Sequence, residues 1–317
     1  MFLSTQQLSI GYENYIVQPS LDLEMNRGEF ICVLGTNGCG KSTLFRTLAG
    51  LQKSLSGTTF LEGKDVRTLS AAEKSLFFAI VLTDKVDLEN TIVSEVVAMG
   101  RYPYSSWLGG LNAEDNEMVA RALAQVRLSS KAECLFTELS DGERQRVMIA
   151  KALAQDTPLI LLDEPTAHLD LPNRVEIMLL LQKLAHETNK SVLLSTHELD
   201  LALQAADKIW LMQQSGGVIC GVPEDLVLNG AFQTVFATDA FSFNKANGNF
   251  SMNYSCTKSV RIIAEEEHAF YWTMRALARL GYSVQHEAEA VVEVRKGEWL
   301  FGGATYHSLE CLIAAMK

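Results

Sequence analysis

The sequence predicts an α/β protein: a parallel sheet covered by helices, mixed with short antiparallel strands, and followed by a small α+β module. Three observations carry this. A buried-looking run, Phe30-Ile31-Cys32-Val33-Leu34, leads through a glycine-rich loop into a segment with helical spacing at Leu44, Phe45, Leu48 and Leu51. From Leu159 to Met212 apolar strands alternate with helical patterns, the rhythm of a parallel sheet. After residue 242 that rhythm breaks in an Asn-, Ser- and Gly-rich stretch and resumes in a shorter unit.

In chain order, Phe2 to Ile10 reads as an edge strand, and Gly11-Tyr12-Glu13-Asn14-Tyr15 as a turn. Leu21 to Met25 alternates like a strand, and Thr58 to Leu61 forms another. From about Ser70 to Ser130 the pattern turns helical, at Ser94–Met99 and Asn112–Val126, with Asn112 as N-cap. A Gly/Pro/aromatic loop, Gly100 to Trp107, separates these two helices. The α/β pattern returns with strands at Leu159–Leu162, Ser191–Ser195 and Ile209–Met212, helices at Val175–His186 and Leu199–Ala206, and a hairpin to Val218–Cys220. The last sixty residues read as a strand at Val260–Ile263, a helix at His268–Leu280, a hairpin about Lys296-Gly297 and a helix at Ser308–Met316. That module is near the size where a lone core is marginal.

The 317 residues suit two domains, and 48% hydrophobic residues is globular composition. A net charge of −11, with no Lys/Arg run, argues against nucleic acid as a partner. Six scattered cysteines without a CxxC pair, one of them inside the glycine-rich loop, suit a reducing compartment. No signal peptide is read at the N-terminus, and no apolar run approaches the ~20 residues of a membrane helix.

The loop itself is Gly35-Thr36-Asn37-Gly38-Cys39-Gly40-Lys41-Ser42-Thr43, the G-x-x-x-x-G-K-S pattern of a P-loop. Its glycines let backbone N–H groups turn toward phosphate oxygens, and the following helix N-terminus adds unpaired donors. Lys41 can reach the terminal phosphates, and the Ser42 hydroxyl can hold Mg²⁺. The alternative is a glycine-rich turn without a ligand; Lys and Ser directly after the last glycine speak against it. Asp163 at the tip of an apolar strand can face Ser42 across the metal, and Glu164 can activate water. His197 also ends a strand, at the sheet edge where open α/β sheets bind ligands. A lone histidine is more often structural than catalytic, and only this position at the sheet edge brings the two readings level. Ser140 and Glu143 form a capping box, which marks either a well-capped helix or a second phosphate-binding helix start.

Together these motifs, from about residue 2 to 237, resemble the ATP-binding cassette of ABC transporters. The resemblance implies an α/β P-loop ATPase core, an antiparallel β-subdomain and an inserted helical subdomain. It also implies a head-to-tail dimer with a second copy, sandwiching two ATP molecules. Gly35 to Thr43 match Walker A; Asp163 and Glu164 match Walker B and the catalytic glutamate. Ser140 and Gly142 match the signature loop that meets the γ-phosphate held by the other subunit. His197 matches the switch histidine, Ala167-His168-Leu169-Asp170 the D-loop, and Tyr12 the adenine-stacking aromatic. Glu164, His197 and Lys41 are thus expected to be catalytic, and Ser42, Asp163 and Thr83 to attend the metal.

Two positions depart from the family pattern. The signature reads Leu139-Ser140-Asp141-Gly142-Glu143 rather than Leu-Ser-Gly-Gly-Gln, adding two carboxylates near phosphate. Arg144 or Arg146 is the expected neutraliser. Thr83 stands where the Q-loop glutamine is expected, with Asp84 as a substitute. Met99-Gly100-Arg101-Tyr102-Pro103-Tyr104 and Leu153 to Pro158 resemble cassettes that serve iron-siderophore, haem and cobalamin uptake. The expected organisation is an ATPase domain at 1–241, with its helical subdomain at about 84–158, a linker at 242–257 and the module at 258–317. The expected role is the ATPase of an importer, peripheral on the cytoplasmic face of the membrane and bound to permease subunits. The alternatives are a non-transport ABC ATPase and an ATP-gated regulator using the C-terminal module.

Overall fold

A computed structural model describes residues 1–13, 15–82, 88–104, 110–167, 169–236, 238, 240–245 and 248–317. The chain divides into two compact units. One holds Met1–Phe236 and Phe243–Asn249; the other holds Ala237–Ser242 and Phe250–Lys317.

The first unit opens with β1 (Leu3–Tyr12), β2 (Tyr15–Leu21) and the two-residue β3 (Glu24–Met25). β4 (Phe30–Gly35) is buried along its whole length and runs into α1 (Lys41–Leu48). β5 (Ser56–Leu61) and β6 (Lys64–Asp65) follow, giving an antiparallel sheet ordered β2-β1-β5-β6, with β3 also on β1. β1 is therefore internal, not the edge strand its sequence suggested. Alternation shows that one face is buried but not which sides are hydrogen-bonded. The strand also runs through Gly11 and Tyr12, and β2 begins at Tyr15, so both ends of the stretch read as a turn are strand.

α2 (Ala71–Phe77) and β7 (Phe78–Val81) precede the helical subdomain. This holds α3 (Val93–Ala98), α4 (Ala113–Gln125) and α5 (Asp141–Ala154). Asn112 caps α4 as expected, accepting from Asp115 N at 2.8 Å. The Gly100-Arg101 stretch ties these helices together. A Cβ on Gly100 would lie 2.2 Å from Lys151 O, so only glycine allows α5 to approach. Arg101 is buried, pairs with buried Asp115 at 2.8 Å and donates to Ala154 O at 2.9 Å. That pairing holds the Asp115 carboxyl below the usual carboxylate range. At the end of α5, Gln155 donates to Ser75 O and Phe78 O, both at 2.7 Å, fastening the subdomain to β7.

The core sheet is completed by β8 (Leu159–Asp163), α6 (Leu171–Thr188), β9 (Ser191–Ser195), α7 (Leu199–Ala205), β10 (Lys208–Met212) and β11 (Val218–Gly221). Its order is β11-β10-β4-β9-β8-β7, parallel except for β11. Continuous apolar runs in β4, β8 and β9 produce strands buried on both faces. Among the described residues, no helix is long and apolar enough to cross a membrane.

Two short helices, α8 (Pro223–Leu228) and α9 (Ala231–Phe236), follow. The stretch read as a linker at 242–257 then holds all but the first residue of β12 (Phe241–Asn244) and the whole of β13 (Asn249–Met252). An edge-on contact of the Phe241 and Phe250 rings, 5.5 Å between centroids, gives it apolar content.

The second unit contains β14 (Lys258–Ala264), α10 (Glu267–Ala278), β15 (Tyr282–Val284), β16 (Val291–Arg295), β17 (Glu298–Phe301), β18 (Ala304–Tyr306) and α11 (Leu309–Met316). Its sheet is ordered β15-β14-β16-β17-β18, with β14 parallel to both neighbours. Val260, Leu277, Val292 and Leu312 form the centre of its own core. Trp299 Nε1 donates to the buried Thr273 hydroxyl at 2.8 Å, locking α10 onto the sheet.

Candidate nucleotide site

The site assembles at the C-terminal ends of the parallel strands, with β9 between β4 and β8. From β4 the chain turns through Gly38 (φ 79°) and Gly40 (φ 103°), both in the left-handed region. A Cβ on Gly40 would stand 2.4 Å from Val17 Cγ1, so both conformation and space require glycine there. Lys41 is buried; its Nζ donates to Gly35 O (3.0 Å) and Thr36 O (3.4 Å), which folds the ammonium back over the loop. Ser42 is exposed at the start of α1. Thr36, Asn37 and Gly38 lie at the open side of the loop, while Cys39 is buried and burial pushes its thiol up, away from reactivity.

Tyr12 ends β1 with its ring exposed, and its hydroxyl lies 3.4 Å from Thr43 Oγ1. The ring is thus beside α1. Gln18 is a residue that sequence reading missed. It is fully buried; its Nε2 donates to Cys39 O (2.8 Å) and Gln213 O (2.7 Å), and its Oε1 accepts from Gly217 N (2.7 Å). It braces the loop from the β-subdomain. A single glutamine between Val17 and Pro19 carries no sequence signal of that.

Asp163 is buried at the tip of β8, where Ser195 Oγ donates to its Oδ1 at 2.5 Å. Glu164, the next residue, has φ 51°, a left-handed conformation uncommon outside glycine. Its N–H is held by Ser195 O (3.1 Å) and Ser195 Oγ (2.9 Å). Its Oε1 meets His197 Nε2 at 2.7 Å. The structure thus brings Asp163, Glu164 and His197 into one cluster, with Ser195 between them. Arg174 links the segments on either side, donating to Leu169 O (2.6 Å) and pairing with Glu198 (2.5 Å). Thr83, Asp84 and His168 lie outside the described residues.

Ser140 caps α5, and Glu143 closes the box, accepting from Ser140 N at 3.0 Å. Ser140 is exposed and Gly142 is buried against Asn173. The expected neutralisers are only partly right. Asp141 stands 3.6 Å from Arg144, but Glu143 pairs with Lys131 and Arg146 with Glu176. Lys131, together with the Ser140 hydrogen bonds, holds the Glu143 carboxyl below the usual range.

Residues 19–167 match the family model for ABC transporters. An ABC transporter ATP-binding protein of Methanocaldococcus jannaschii is 37% identical over 82% of this chain and 90% of its own length. The achromobactin transport ATP-binding protein CbrD of Dickeya dadantii is 36% identical, covering 75% of this chain and 88% of its own. A solved inward-facing structure of a metal-chelate type ABC transporter superposes with a TM-score of 0.67 at 28% identity. It covers 80% of this chain and 97% of its own. Residues 257–317, which sequence reading left outside the family resemblance, match the iron ABC transporter C-terminal domain. With a cassette fold and these similarities, the chain belongs to the ATP-binding subunits of ABC transporters.

Proposed function

We propose that this chain hydrolyses ATP to drive a membrane importer of metal chelates, with iron-siderophores as the favoured cargo class. The observation that carries the chemistry is the cluster at the ends of β8 and β9: Asp163, Glu164 and His197 joined through Ser195. Similarity to an achromobactin transport subunit and to a metal-chelate transporter, with the iron-type C-terminal match, supports the cargo class.

Gly35 to Thr43 would cradle the phosphates and Tyr12 would stack on the base. Lys41 would turn from its loop carbonyls to the terminal phosphates. The oxygen donors Ser42 and Asp163 suit Mg²⁺, a hard cation, and the buried Asp163 carboxylate offers a charge for it. Bound there, the ion would neutralise developing phosphate charge. Glu164 would orient and deprotonate the attacking water, and His197 would fix the Glu164 carboxylate and reach toward the γ-phosphate. Ser140 and Gly142 would complete the site on a second copy. Permease subunits would hold that dimer at the cytoplasmic face.

The test is a single-turnover assay of the Glu164→Gln chain. ATP binding is retained and hydrolysis falls by about 10²-fold or more. Hydrolysis at the parent rate would remove Glu164 from this role. Metal-chelate uptake by vesicles holding the cognate permease, lost with the same variant, would support the cargo class; uptake of an unrelated solute would overturn it.

A further inference from the structure

Glu143 has a carboxylate with two sets of partners. Its Oε2 accepts from Ser140 N and from Ser140 Oγ, both at 3.0 Å. Its Oε1 pairs with Lys131 Nζ, on the short helical turn Ser129–Lys131 that lies ahead of α5. Asp141, the other added acid, is exposed and faces Arg144, whose remaining donors go to Phe136 O and Thr137 O. Arg146 is occupied by Glu176 and Asn173. Among the described residues, Lys131 is the cation paired with Glu143.

A serine hydroxyl has one proton. While it donates to Glu143, it cannot donate to a phosphate. A carboxylate within one helical turn of that phosphate also repels it. A cation on the far oxygen relieves both problems: it draws charge from the carboxylate and weakens it as an acceptor for the serine. Glutamine at this position would need no such cation.

We propose that Lys131 is a positioning residue for ATP hydrolysis: by pairing with Glu143 it loosens the carboxylate's hold on the Ser140 hydroxyl, so that the incoming γ-phosphate can take that proton, and it screens the phosphate from the carboxylate. This rests on the reading that Ser140 meets ATP held by a second copy. Lys131 acts at closure of the site, after nucleotide has loaded on the other P-loop. Its loss therefore appears in kcat rather than in KM.

The experiment compares the full-length parent with Lys131→Met, Lys131→Arg, Glu143→Gln, the Lys131→Met/Glu143→Gln double variant and Ser140→Ala in steady-state Mg-ATP hydrolysis. Lys131→Met lowers kcat by about fivefold or more with KM within about twofold of the parent, and Lys131→Arg stays near the parent. In the Glu143→Gln background, the same Lys131→Met change costs less than about twofold. Two results would overturn the proposal while leaving the Ser140 reading intact: Ser140→Ala slows turnover but Lys131→Met does not, or the Lys131→Met loss is equal in both backgrounds. Undiminished turnover in Ser140→Ala would instead remove the underlying reading, and the proposal with it.

Discussion

Ser195 Oγ donates a 2.5 Å hydrogen bond to Asp163 Oδ1 across the paired ends of β8 and β9, and the same oxygen accepts the Glu164 N–H at 2.9 Å. One buried hydroxyl therefore fixes a carboxylate suited to the metal and the backbone of the proposed base. Glu164 sits at φ 51°, a conformation that persists only when its surroundings hold it. Ser195→Ala should lower kcat by about tenfold while leaving ATP binding near the parent value, and Ser195→Thr should recover part of the loss. An unchanged kcat in Ser195→Ala would show that Glu164 is held by other means.

Gln18 makes three hydrogen bonds from a fully buried position, one to Cys39 O inside the phosphate loop and two to the turn between β10 and β11. Gln18→Leu keeps the approximate volume and removes the side-chain partners of Cys39 O and Gly217 N, while Gln213 O keeps only the Gly216 N–H. The expected cost is about 1–3 kcal/mol of stability for the lost pairings, with weaker ATP binding. Thermal unfolding with and without ATP measures both. A parent-like unfolding temperature would contradict the bracing role.

Glu143 sets a pH dependence. Lys131 and the Ser140 groups hold its carboxyl below the ordinary 4.5 in the folded chain. A depressed folded value means that the unfolded chain takes up the proton first. The stability contributed is thus complete above about pH 4.5 and is lost as pH falls through the folded value. Acid unfolding monitored by circular dichroism should show a shallower stability loss below pH 4.5 for Glu143→Gln than for the parent. Equal slopes would contradict this.

The chemistry-bearing half of the site was legible because its signals are local. Leu159 to Leu162 is an uninterrupted apolar run, and the acids at its end follow in sequence. Gly35 to Thr43 combines strand, loop and helix start within one short segment. What escaped depends on groups far apart in the chain. Gln18 meets Gln213, Lys131 meets Glu143, and Ser195 meets Asp163 only after folding. Strand order was equally hidden: β1 alternates like an edge strand but has neighbours on both sides. β7 falls within Phe77 to Leu82, an apolar run too short to tell a buried strand from a helical segment by periodicity alone. β15 and β18 span three residues each, too short for alternation to register. The hairpin at Lys296-Gly297 was readable because both residues adopt positive φ, 49° and 78°, which Gly favours at such turns.

If each ATP site is shared between two copies of the chain, Mg-ATP should bring two copies together. Sedimentation velocity of the Glu164→Gln chain, with and without Mg-ATP, reads this out. The predicted result is a shift from monomer to dimer on adding ATP, abolished when Ser140→Arg is added on the same background. A chain that binds ATP and stays monomeric, or that dimerises equally well with Ser140→Arg, would contradict it.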